Sequence, residues 1–242
     1  MFPIRDHNPS GRVPYVTYAL LAVNIAVFVV SWFGLRSEYA LAEFYYTWGL
    51  VPAWLMQGEG YSALISHMFL HGGWMHLAGN MLFLWIFGDN LEDVLGHLRY
   101  FLFYLACGLA AAALQVAGDP GFDGPLIGAS GAIAGVLGGY LVLFPRARVD
   151  VLLIFIIFFR VFSIPAWVVL GIWFAVQSFN GYSATADGVA YLAHVGGFIA
   201  GAMLVLPVLL RRGFWVQNKG KPPHPAAEYL FSPSRIPRVP KR

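Results

Sequence analysis

Ser130 and His194 give this chain the two parts of a nucleophilic catalyst, a hydroxyl and a base able to take its proton. Ser130 lies in Gly128-Ala129-Ser130-Gly131 at the head of one apolar run, and His194 in Ala193-His194-Val195-Gly196-Gly197 near the head of another. A third apolar run carries His76 and Asn80, whose i,i+4 spacing sets them on one helix face. Polar side chains are costly in such runs, so each marks a candidate site. Plainer roles exist for all of them. A Gly-Ser-Gly helix start can simply cap or pack, and a single histidine can serve as an interhelical hydrogen bonder. Asn80 can join helices in the way we read Asn24, Gln115 and Gln177 as doing. His67, His71 and His76 raise the question of a metal. His67 and His71 share a helix face, but Gly72-Gly73 interrupts the helix before His76 and no HExxH completes a metalloprotease site. Carboxylates offer no buried pair: Asp89, Glu92 and Asp93 end one run, and Asp119, Asp123 and Asp187 lie in loops. Serine chemistry is what remains.

The elements that must position these residues are membrane helices. The 242 residues are 59% hydrophobic and 11% charged, with mean hydropathy +0.66, whereas soluble domains carry about 25% charged residues. Long apolar runs indicate helices, because barrel strands would alternate. A spanning helix needs about 20 apolar residues, and six candidates emerge: Tyr15–Phe33, Leu64–Phe87, Leu98–Ala117, Ser130–Phe144, Ile164–Phe179 and Val189–Leu210. Tyr15–Phe33 is too long for the core of a secretory signal, so it is read as a retained span. Val151–Phe159 is too short to cross and is bracketed by Arg148, Asp150 and Arg160, so it reads as an interfacial or re-entrant element. Cys107 sits mid-span as a buried, inert thiol.

Loop charges set the orientation. With the start of the chain inside, every one of the 15 basic residues except Arg36 falls on the inner side. Both ends of the chain are then cytoplasmic. Ser130 opens the fourth span, running inward, and His194 lies near the start of the sixth, again inward. His76 and Asn80 occupy the opening third of the second, so all four meet near the outer side at similar depth. From Ser130 to Phe144 is about 15 residues, or roughly 22 Å of helix, which puts the serine several ångströms inside a hydrocarbon core about 30 Å thick. Gly131, Gly135 and Gly139 form a small-residue stripe facing Ala193, Gly197 and Gly201, which lets two helix backbones approach closely. The aromatic segment Leu35–Ala63 reads as an outer interfacial anchor, and Gly118–Ile127 either shapes the site entrance or simply connects.

Together these runs resemble the rhomboid intramembrane serine proteases. His67-Met68-Phe69-Leu70-His71-Gly72-Gly73-Trp74-Met75-His76-Leu77-Ala78-Gly79-Asn80 looks like that family's second span, and Phe87-Gly88-Asp89-Asn90-Leu91-Glu92 like its end. The runs at Ser130 and His194 look like its fourth and sixth spans. The opening, with Asn8-Pro9 before Pro14-Tyr15-Val16-Thr17-Tyr18, looks bacterial-type. The resemblance covers residues 1–212 and implies an all-α membrane protein, a six-transmembrane-helix bundle. It implies Ser130 as nucleophile, His194 as general base, and an oxyanion site of His76, Asn80 and the Ser130 backbone N–H. Glu92 would be structural. Two features depart from the family pattern. Some members carry a tyrosine one turn after the serine, under the histidine ring, where this chain has Ala134. Something else, such as a residue of the sixth or second span, must then hold the ring of His194. Some also carry a Trp-Arg pair in the first outer loop, which is not found between Leu35 and Ser66.

The resulting expectation is a multi-pass protease of the cell inner membrane that cleaves single-span membrane proteins within the lipid bilayer. It would use no metal or cofactor and bind no nucleic acid. The resemblance implies substrates that enter laterally and unwind near small or helix-breaking residues, which is physically sensible because an intact helix hides its carbonyls. Two rivals stand beside it. One is a catalytically inactive relative that binds membrane clients, against which stand Ser130, His194, His76 and Asn80 all being present. The other is a transporter, against which stands the lack of an inverted repeat or mid-span acid. Residues 213–242, rich in proline and basic residues, are expected to be a disordered cytoplasmic tail that touches anionic headgroups.

Overall fold

The structure, a computed structural model, describes residues 2–155, 158–183 and 189–212; the expected tail lies outside the described residues. The chain is mostly helical. Helix α1 spans Tyr15–Gly34, and the segment after it holds α2 (Glu38–Trp48) and the short α3 (Pro52–Met56). A single turn, α4 (Ala63–Ser66), continues into a 3-10 turn at His67–Phe69, and α5 runs from Trp74 to Leu95. Then come α6 (His97–Gly118), α7 (Ser130–Leu143), α8 (Ala166–Tyr182), α9 (Tyr191–Leu204) and α10 (Leu206–Arg212).

Among the described residues, three stretches are long and apolar enough to cross a membrane, Tyr15–Gly34, His97–Gly118 and Tyr191–Arg211, while Ser130–Leu143 is apolar but shorter. Helix α7 is the centre of the molecule. Gly131 through Tyr140 are buried without interruption, packed among Phe87, Tyr100, Tyr104, Cys107 and Phe198 of the neighbouring helices. Its glycines make that possible. A Cβ on Gly197 would collide with the Gly131 carbonyl oxygen, and one on Gly201 with that of Gly135. The two backbones are therefore in direct contact, and the paired stripes expected from the sequence do meet.

Three sequence expectations are corrected. The second span does not begin at Leu64. The chain leaves helical geometry after Phe69, passes through His71-Gly72-Gly73 and restarts at Trp74, so His67 and His71 do not share a helix face. The reason is local: two successive glycines carry the largest backbone entropy cost in a helix. The fold is also not purely α-helical. Residues 148–165, divided at the sequence level between a short apolar element and the start of a helix, form a hairpin of β2 (Arg148–Phe155) and β3 (Phe158–Pro165). Strand β1 (Phe2–Asp6) pairs antiparallel with β2, giving a sheet in the order β1-β2-β3. Runs of Val, Ile and Phe favour extended backbone once no helix partner covers them. Finally, Asn24 joins no second helix through its observed bond: its amide donates to Leu20 O in its own helix, at 2.7 Å.

The sheet lies at the C-terminal end of α7. At the other end, Leu50 pairs with Leu126 in an antiparallel bridge, tying the segment after α1 to the one before α7. Thus the connections sort into two opposite ends of the bundle.

Candidate active site

Ser130 is the first residue of α7, so its N–H belongs to the set for which a helix provides no partner. Two residues earlier, Gly128 has φ +133, a conformation that side-chain-bearing residues rarely adopt. A Cβ there would lie 2.8 Å from His76 Nε2 and 3.6 Å from Ser130 Oγ. The missing side chain is what lets the histidine ring and the serine hydroxyl flank this turn together. The Gly128 N–H donates to His67 O at 2.9 Å, fastening the turn to the 3-10 segment.

His194 arrives on α9, where the glycine contacts with α7 bring it in. Its Nε2 stands 2.8 Å from Ser130 Oγ. Its Nδ1 stands 2.7 Å from Gln177 Oε1, on α8. Trp173, one turn before Gln177, packs against the imidazole with ring centroids 5.9 Å apart, and Tyr191 meets it edge-on at 6.3 Å. The start of α9 is held by Gln115 of α6, whose Oε1 accepts from Ala193 N at 3.0 Å. Gln115 is thus the interhelical bonder expected of it.

Asn80 lies two turns into α5, buried, with its Nδ2 3.0 Å from His71 Nε2. The His71 ring in turn sits 5.0 Å from that of His76. His67 takes no part in this group; its Nδ1 bonds to Ala63 O at 2.7 Å. The structure therefore joins Ser130 directly to His194, and brings His76 against the Ser130 turn. Asn80 connects to that cluster through His71. A hydroxyl facing an imidazole nitrogen at hydrogen-bond distance, with a second imidazole beside the same turn, is an arrangement able to perform acyl transfer.

The chain matches the rhomboid domain over residues 58–211. The chain belongs to the rhomboid family. It is 29% identical over 201 residues to "Rhomboid protein 1, mitochondrial" of Saccharomyces cerevisiae, covering 78% of this chain and 51% of that protein. It is 34% identical over 157 residues to "Rhomboid protease GluP" of Bacillus subtilis, covering 63% of this chain and 28% of that one. With the human "Presenilin-associated rhomboid-like protein, mitochondrial" the identity is 30% over 146 residues, 60% of this chain and 37% of the relative. The chain thus spans about half the length, or less, of these curated relatives. A rhomboid domain together with apolar helices of spanning length identifies a multi-pass membrane protein of a family that includes proteases.

Two contributors to the site escaped sequence reasoning. The ring of His194 is supported from α8, by Gln177 and Trp173, in addition to Tyr191 at the start of the sixth span, where support was expected. Gln177 bonds the histidine itself, which the reading as a plain helix joiner did not capture. The signal was available: a glutamine in an apolar run, one turn from a tryptophan on the same face. His71 is the other, reached only because the helix breaks where it does.

Proposed function

We propose that this rhomboid is an intramembrane serine endopeptidase that cleaves transmembrane or juxtamembrane segments of single-span membrane proteins. The observation that carries the reading is the 2.8 Å approach of His194 Nε2 to Ser130 Oγ. Ser130 Oγ attacks the scissile carbonyl as its proton passes to His194 Nε2. The oxyanion that forms is met by the Ser130 N–H, His76 and Asn80. Collapse breaks the C–N bond, and His194 returns the proton to the leaving amine. A water molecule, deprotonated by His194, then hydrolyses the Ser130 ester and restores the hydroxyl.

An uncharged donor such as Asn80 suits the place, since an unpaired charge would be penalised where water is scarce. The amide nitrogen has two hydrogens, so the bond to His71 leaves a second for the oxyanion. The proposed setting is a six-span domain within residues 1–212, in a cell inner membrane with both ends of the described chain cytoplasmic. Support for that orientation comes from the charge distribution.

The test is cleavage of a single-span reporter by purified protein in detergent, beside Ser130→Ala and His194→Ala, with fluorophosphonate labelling in parallel. Cleavage and labelling by wild type alone are expected. A wild type that neither cleaves nor labels would instead favour a client-binding relative without catalysis.

A further inference from the structure

We infer that Gln177 is a positioning residue that turns the dyad into a Ser130–His194–Gln177 triad, with a neutral amide where other serine hydrolases use a carboxylate. The inference rests on the reading of Ser130 and His194 as nucleophile and base. A neutral imidazole carries one N–H, on either Nδ1 or Nε2. Only the tautomer with the hydrogen on Nδ1 leaves Nε2 with a lone pair for the serine proton. An amide oxygen accepts and never donates. Gln177 Oε1, 2.7 Å from Nδ1, therefore selects the Nδ1–H tautomer and points the basic nitrogen at Ser130 Oγ.

The same helix restrains the ring's tilt. Trp173 and Gln177 are four residues apart, hence on one face of α8. The indole lies 5.9 Å from the imidazole at an interplanar angle of 35°, while Tyr191 meets the ring edge-on at 87°. Ala134, the residue one turn after Ser130 on α7, is a methyl group and cannot supply that support. Within an apolar bundle the amide has an advantage over a carboxylate, because it orients the ring without burying a charge. It also fixes the histidine through a helix separate from those that carry the dyad. Ser130 sits on α7, His194 on α9 and Gln177 on α8, so catalytic geometry depends on three helices meeting.

Two measurements on the full chain in detergent decide this. The first needs no activity: the side-chain ¹⁵N spectrum of His194, assigned with His194→Ala. Wild type is expected to show Nδ1 as the protonated nitrogen and Nε2 as the bare one. Gln177→Met, similar in length but without an acceptor, is expected to shift the population toward Nε2–H. An Nε2–H tautomer in wild type overturns the inference, whatever the enzyme's activity. The second is kinetic. Gln177→Met is expected to lower kcat by about 10- to 100-fold with KM little changed, the size seen when an orienting partner is removed. Gln177→Glu, which keeps an acceptor at the same reach, is expected to recover most of that loss. Equal losses in the Met and Glu variants, or no loss in either, overturn the inference. A wild type with the expected tautomer that cleaves nothing fails the protease reading alone, so the two failures remain separable.

Discussion

Glu92 on α5 caps a helix to which it does not belong. Both of its carboxylate oxygens serve the start of α1: Oε1 accepts from Val16 N at 2.8 Å, and Oε2 from Thr17 N at 2.7 Å and from Thr17 Oγ1 at 2.8 Å. Pro14, which precedes the helix, makes no side-chain cap of its own. A carboxylate at a helix N-terminus satisfies orphan amides and favours the dipole's positive end. His97 Nδ1, 2.6 Å from Oε1, holds the carboxylate from the other side. Removing Glu92 leaves the Thr17 N–H and hydroxyl buried without this acceptor. Glu92→Ala is therefore expected to cost about 1–3 kcal/mol, read as a fall in unfolding temperature in detergent, with Glu92→Gln losing less. A variant as stable as wild type would show that α1 is held by other contacts.

The α7–α9 contact predicts a graded response to a single methyl group. Gly197→Ala puts a Cβ into the Gly131 carbonyl, backbone against backbone, so the helices must separate. Overpacking of this kind costs about 1–3 kcal/mol. Because the same contact sets the Ser130–His194 distance, fluorophosphonate labelling of Ser130 should fall further than stability does. Gly171→Ala on α8, where a Cβ meets nothing within 4 Å, is the control and should leave both unchanged. Equal effects at the two glycines would remove close approach as the explanation.

Asp6 in β1 gives a pH dependence of known sign. Burial raises its carboxyl from the ordinary 3.8 to about 7, outweighing the Tyr140 hydrogen bond, and Asp89 adds to the rise. Between those values the folded protein holds a proton that the unfolded chain has released, so stability falls as pH rises through the window. Unfolding temperature should be higher near about pH 5 than near about pH 8. In Asp6→Asn this slope should flatten. An unaltered slope in the variant would assign the titration to another group.

Asn80→Ala tests the oxyanion site with the fold as control. Loss of a preorganised donor is expected to lower kcat by about 10²–10³-fold while the unfolding temperature moves little. An unchanged kcat would leave Asn80 as a partner of His71 alone.

Much of the candidate site was legible because its residues are expensive where they stand. Ser130, His194, His76 and Asn80 interrupt apolar runs, and the glycine stripes announce which helices touch. Gln177 was visible as a polar residue, but what it faces depends on the packing angle of α8 against α9, which no local pattern encodes. The hairpin at 148–165 was harder. A short apolar run fits a buried strand or a helix fragment equally well until its partner is known. That partner, Phe2–Asp6, lies far away in the chain.

That distance has a consequence for how the molecule is made. Phe2 pairs with Leu152, and Pro3 with Val151. His7 Nε2 reaches Asp150 at 2.8 Å, and Tyr140 donates to Asp6 at 2.7 Å. Residues 2–6 therefore acquire their partners only after five larger helical elements have been synthesised. Closing so long a loop is entropically unfavourable and slow. Until it closes, α7 lacks the tether at the end opposite Ser130, which makes this strand a late clasp on an otherwise assembled bundle.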